Sequence, residues 1–151
     1  MWRVVKPDDD LWIIGDFAFG ALAKDAAYLQ KIFGQLPGAH KHLIVGNHDG
    51  DLTQSLDWAS VSLMAAVPDG PKKQRNTLCH YPMITWNHAR REALQLFGHV
   101  HNNWRGSRNS VNVGVDVWDF MPVTYDDVAR RARQLPINKH WSDVEHRKEL
   151  N

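Results

Sequence analysis

The chain has 151 residues, 43% hydrophobic and 23% charged, the balance of a single folded domain with a real core rather than of a disordered segment. A formal net charge of +1 excludes a protein that coats nucleic acid or lipid surfaces by charge alone, although a nucleic acid held at a local site stays open as a substrate. The lone cysteine, Cys79, excludes an internal disulfide; with no signal-peptide pattern and no apolar run near the ~20 residues of a membrane span, the expected location is the cytoplasm.

Lys6-Pro7-Asp8-Asp9-Asp10 reads as a polar turn, and Leu11-Trp12-Ile13-Ile14 as a short strand covered on both faces and closed by Gly15-Asp16. Leu22, Ala26, Leu29 and Phe33 recur at helical spacing, and Gly34, Pro37 and Gly38 stop that helix. A second strand, Leu43-Ile44-Val45, ends at Gly46-Asn47-His48-Asp49, so the first third predicts a parallel strand–helix–strand unit. Val61-Ser62-Leu63-Met64 and Asn76-Thr77-Leu78-Cys79 are expected to pair across the turn Pro68-Asp69-Gly70-Pro71, the second leading into His80. A strand near Ala93 to Phe97 runs into Gly98-His99-Val100-His101. The alternation of Val111, Val113, Val115 and Val117 predicts a half-buried strand. Thr124-Tyr125-Asp126-Asp127 predicts a capped helix whose apolar face is Val128, Ala132 and Leu135. One domain is expected over residues 1–136, followed by a polar, loosely attached tail over 137–151.

Four polar clusters share one placement, each at the carboxyl end of an apolar strand: Asp16, then Asn47-His48-Asp49, then His80, then His99 and His101. In α/β sheets the loops at that edge converge on one crevice, which is where ligands bind. Imidazole nitrogens together with carboxylate and amide oxygens suit Mn, Fe, Zn or Ni better than Ca or Mg. Taken singly, Gly-Asp and Asn-His-Asp are also common turns. His99 and His101 stand two apart, so a strand would aim both at one face. Asp8, Asp9 and Asp10 precede the first strand, ~20 Å from its far end at ~3.3 Å per residue, and His40 and His42 likewise open their strand rather than close it. Nothing in the spacing of His88 makes it a ligand. Cys79 beside His80 admits a nucleophile, but a small buried hydrophobe is the plainer reading.

The ordered set Gly15-Asp16, Gly46-Asn47-His48-Asp49, His80 and Gly98-His99-Val100-His101 resembles the later signature blocks of the calcineurin-like metallophosphoesterases. The phrases Gly15-Asp16-Phe17-Ala18-Phe19-Gly20, His80-Tyr81-Pro82-Met83 and Asn112-Val113-Gly114-Val115-Asp116 are similar to a small bacterial and phage branch of that family. The resemblance spans roughly residues 4–128. It implies an α/β fold, a sandwich of two mixed β-sheets flanked by helices. It further implies a hydrolase of phosphomonoesters or phosphodiesters, working with two divalent metals. Asp16 would bridge the metals, Asn47, His80 and His99 would complete one, and His101 would serve the other. His48 would stand by the scissile phosphate, with Asp49 orienting its imidazole.

The family's opening strand, which ends in Asp-x-His, has no counterpart before Gly15. On that reading two ligands of the second metal and a central strand are missing, one ion is held instead of two, and the strand Leu11–Ile14 offers an unpaired edge to a partner. Three functions follow for comparison: a metal-dependent phosphoesterase, a non-catalytic single-metal or phosphate-binding relic, and an interaction domain whose histidines are incidental.

Overall fold

In the computed structural model, which describes residues 4–145, the first strand β1 (Asp10–Ile14) pairs in parallel with β2 (His40–Ile44). Between them run a 3-10 turn (Gly20–Lys24) and helix α1 (Ala26–Phe33), the crossover that a parallel pair requires. Asp25 starts α1: its carboxylate accepts the Tyr28 backbone N–H at 3.0 Å, satisfying one of the free donors at a helix start. The inner face of α1 puts Leu29 and Phe33 into a cluster with Ala18, Leu56, Phe17 and Trp58. Burial of a side chain of that size contributes about 1.5–3 kcal/mol, which fixes the helix against its sheet and so fixes where β1 ends. The expected helix from Leu22 is therefore split at Asp25, because the capping side chain starts a new helix there.

After a four-residue helix α2 (Asp51–Gln54), strand β3 (Ser60–Ser62) adds in parallel to β2 and completes a sheet of order β1-β2-β3. All its pairings are parallel, so this sheet is not the mixed one expected. The second sheet, of order β4-β5-β6-β8-β7, is mixed. It contains β4 (Met64–Asp69), β5 (Gln74–Cys79), β6 (Gln95–Phe97), β7 (Gly106–Ser107) and β8 (Ser110–Asn112). Strands β4 and β5 form the expected hairpin, but Val61 and Ser62 belong to β3 in the other sheet. Helix α3 (Tyr125–Gln134) carries the anticipated capping box between Thr124 and Asp127, and packs Val128 and Ala132 on Leu94 and Val111. The described residues thus form a mixed α/β structure of two sheets and four helices, none of those helices long and apolar enough to cross a membrane.

Two further expectations are corrected. The valine alternation gives only the three-residue β8, because Gly114 breaks it and Val115–Val117 turn as a 3-10 helix. The tail is not loose as far as it is described. Helix α4 (Trp141–Glu145) sets Trp141 5.9 Å from Trp86, and Glu145 pairs with Arg90 at 2.7 Å and with the Thr85 hydroxyl. Residues 146–151 of that tail lie outside the described residues.

Among the described residues, strand β1 has a sheet neighbour on one side only, and all five of its residues line a cavity of about 1110 Å³ that extends to Leu78, Leu96, Val113 and Val128. At the amino ends of β1 and β2 lies a separate polar group. Asp10 pairs with His40 at 2.8 Å, and His42 stacks on Trp12 with its Nδ1 2.7 Å from the Ser60 hydroxyl. Burial pushes the His42 imidazole below its ordinary 6.5, outweighing Asp10, so the neutral ring is the one that packs on Trp12. These histidines sit at the opposite end of the sheet from the clusters that follow the strands, as their order in the sequence requires.

Candidate metal centre

Four loops leave the carboxyl ends of β1, β2, β5 and β6 and meet. The first is shaped by Gly15 at φ +81° and Asp16 at φ +55°, both in the left-handed region, which Gly adopts freely and Asp tolerates. A Cβ on Gly15 would overlap the His80 imidazole, so only glycine lets β1 approach β5 this closely. His80 is 2% exposed and follows β5 directly. Its Nδ1 lies 3.0 Å from the Ile14 carbonyl, which has no hydrogen of its own, so the ring donates there and leaves Nε2 to face the other loops. Two backbone bonds, from Gly98 and His99 to the His80 carbonyl at 3.1 and 3.0 Å, tie in the loop after β6.

Around His80 Nε2 stand Asp16 Oδ2 at 3.3 Å, Asn47 Oδ1 at 3.2 Å and His99 Nδ1 at 3.1 Å. The ligand atoms of Asp16, His80 and His99 all lie within 4.8 Å of one another. A proton on Nε2 can serve one of these three neighbours, not all. Adjacent ligands held ~2.0–2.2 Å from a common ion stand about 2.8–3.6 Å apart across octahedral and tetrahedral arrangements, a range that contains the distances around Nε2. The donor types fit a transition-metal ion, and Asp16, His80 and His99 could hold one, with the Asn47 oxygen beside them.

Asp16 and Asn47 thus join His80 and His99, as their order along the chain suggests. His48 stands at the rim: its backbone N–H donates to Asp16 Oδ1 at 2.9 Å, and its exposed ring meets the Phe19 ring edge-on at 4.7 Å.

Two of the expected site residues make contacts that their order in the chain did not suggest. Asp49 is 5% exposed, and its carboxylate accepts the backbone N–H groups of Asp16 (2.8 Å), Phe17 (2.9 Å) and Gly46 (2.8 Å). It clamps the first two loops together instead of orienting the His48 ring. His101 does not share a strand with His99, since β6 stops at Phe97 and His101 opens a 3-10 turn at φ +50°. Its Nδ1 pairs with Asp116 Oδ2 at 3.0 Å, outside the group around His80. His88 and Cys79 likewise stay apart from that group.

Residues not singled out as functional complete the surroundings. The buried Asn112 donates from Nδ2 to the carbonyls of His101 (2.6 Å) and Trp104 (2.8 Å), and accepts from the Gly114 N–H at 2.8 Å, fixing the loop that carries His101. Asp116 faces His101, and Tyr81 lies over His99 at 4.7 Å. The run Asn112 to Asp116 was a sequence signal for the first two, and the phrase His80-Tyr81-Pro82-Met83 for Tyr81.

No protein-family model matches the chain. The Gene 66 protein of Mycobacterium phage L5 is 26% identical over 155 residues, covering 83% of this chain and 73% of that protein. A crystal structure of a protein of unknown function from Aquifex aeolicus aligns with a TM-score of 0.63 at 28% identity, over 85% of this chain and 79% of that one. The fold is shared. Neither name states an activity, so function has to be argued from the residues.

Proposed function

We propose that the chain is a metal-dependent phosphoesterase of the calcineurin-like type, with that family's two-sheet sandwich as its fold. The observation that carries this reading is the convergence of Asp16, Asn47 and His99 on the lone-pair side of His80 Nε2. A divalent ion bound there supplies Lewis-acid neutralisation of a phosphoryl oxygen and a water that ionises near neutral pH. Asp16, turned by its left-handed backbone, presents Oδ2 to that position while Oδ1 holds the His48 N–H. His48 is exposed beside it, where an imidazole can give a proton to the departing ester oxygen. Asp49 keeps these loops in register from below.

A second reading has a specific observation in its favour. With His101 Nδ1 held by Asp116, a second metal position would have only Asp16 and His101 Nε2 among the expected ligands, fewer than the three usual at a catalytic site, which suits a chain that holds one ion or a phosphate without turning it over. Turnover separates the two. With Mn supplied, the chain is expected to hydrolyse bis(p-nitrophenyl) phosphate, His48→Asn to slow it by about 100-fold or more, and His80→Ala to abolish the metal-dependent rate. A wild-type rate no higher than that of His80→Ala would reject the hydrolase and leave the single-ion relic.

A further inference from the structure

The loop Phe17-Ala18-Phe19 splits its two rings. Phe17 turns inward, edge-on to Trp58 at 5.3 Å and to Phe33 at 6.4 Å, and Ala18 is buried beside it. Phe19 turns outward and is 70% exposed, and its one ring contact among the described residues is with His48. Across the centre, Tyr81 is 46% exposed, with its ring 4.7 Å from His99 and 5.1 Å from His80. Its hydroxyl has no hydrogen-bond partner among the described residues, although its carbonyl is held by Gln95 at 3.2 Å. Single exposed apolar side chains are ordinary on a protein surface. Two exposed aromatic rings against imidazoles of one centre are a different matter, because each has a free face beside the place where a phosphate would sit.

We infer that the site takes a phosphate ester carrying a planar base, a nucleotide, with the base stacked on Phe19 and Tyr81 flanking the sugar–phosphate side. The inference rests on reading the centre as a phosphate site, and goes beyond it by naming the group attached to the phosphate. A flat base covers the free face of Phe19 without demanding any particular hydrogen-bond pattern, so the site is expected to accept different bases. The neighbouring Phe19–His48 contact also links base position to the His48 ring, since a ligand that stacks on Phe19 stands within reach of it.

Calorimetric titration tests both layers. The Mn-supplemented chain is titrated separately with inorganic phosphate, ribose 5-phosphate and adenosine monophosphate. Adenosine monophosphate is expected to bind about tenfold tighter than ribose 5-phosphate, the size of effect that one stacked base gives. Phe19→Ala should remove that difference, Phe19→Trp should keep it, and Tyr81→Leu should reduce it in part. Equal affinity for the two sugar phosphates in the wild type would overturn the inference and leave the phosphate site standing. So would a Phe19→Ala variant that keeps the full preference. Binding of none of the three probes would overturn both the inference and the phosphoesterase reading.

Discussion

Asp49→Ala should lower the stability of the fold by roughly 2–6 kcal/mol, because three backbone N–H groups lose their acceptor at once, a buried donor left unpaired costs about 1–3 kcal/mol, and the two part-buried donors cost about half as much each. The groups are those of Asp16, Phe17 and Gly46, all within 2.9 Å of the carboxylate. Against a total of about 5–15 kcal/mol for an ordinary domain, such a loss approaches unfolding. Asp49→Asn should fall between, since one amide oxygen can still accept while the NH₂ faces donors. Urea denaturation gives the measurement. A catalytic Asp49 that merely orients His48 would behave otherwise, with Asp49→Asn losing activity at unchanged stability.

The second large effect concerns the ion. Asp16, Asn47, His80 and His99 bring lone pairs from different loops into one small space, so on the proposed reading a cation would be their common partner and would bind the fold far better than the unfolded chain. Metal at about 1,000 times its Kd should then stabilise the protein by ~4 kcal/mol. For a chain of this size that raises the melting temperature by roughly 8–16 °C. In His80→Ala the shift should vanish, because the nitrogen at the middle of the cluster is gone. His101→Ala should retain most of it, since that ring pairs with Asp116 outside the cluster. Melting curves with and without Mn or Zn decide the matter; an undiminished shift in His80→Ala would place the ion elsewhere.

Much of this arrangement was legible in the chain because it depends on local rules. The parallel β1–α1–β2 unit follows from apolar runs, helical spacing and glycine stops, and the start of α3 follows from Thr124 and Asp127. Asp16, Asn47, His80 and His99 could be grouped because each follows a strand, and the parallel pairs β1–β2 in one sheet and β5–β6 in the other deliver their carboxyl ends to the same place. The failures share a different cause. Asp49 follows His48 directly, yet neighbours in a tight turn point apart, and its carboxylate meets the loop from β1 instead. His99 and His101 would share a face only if the strand continued past Phe97, and the His80–Gly98 and His80–His99 backbone bonds stop it. The division of β3 and β4 between two sheets turns on Leu63, a single residue between two strands, which no periodicity in Val61–Met64 betrays.

The centre also explains why so little chain reaches it. Gly15 admits the His80 ring, Ile14 sets its tautomer through a carbonyl, and Asp49 anchors the backbone from both first loops. Each contact is made by backbone or by a buried side chain, which leaves the exposed His48, Phe19 and Tyr81 free to meet a ligand. The direct measurement is anomalous diffraction from crystals grown with Mn or Zn. One peak is expected per chain, ~2.0–2.2 Å from His80 Nε2, with Asp16, Asn47 and His99 as the other ligands. Absence of any peak there, with His80 paired only to Asp16, would contradict the account.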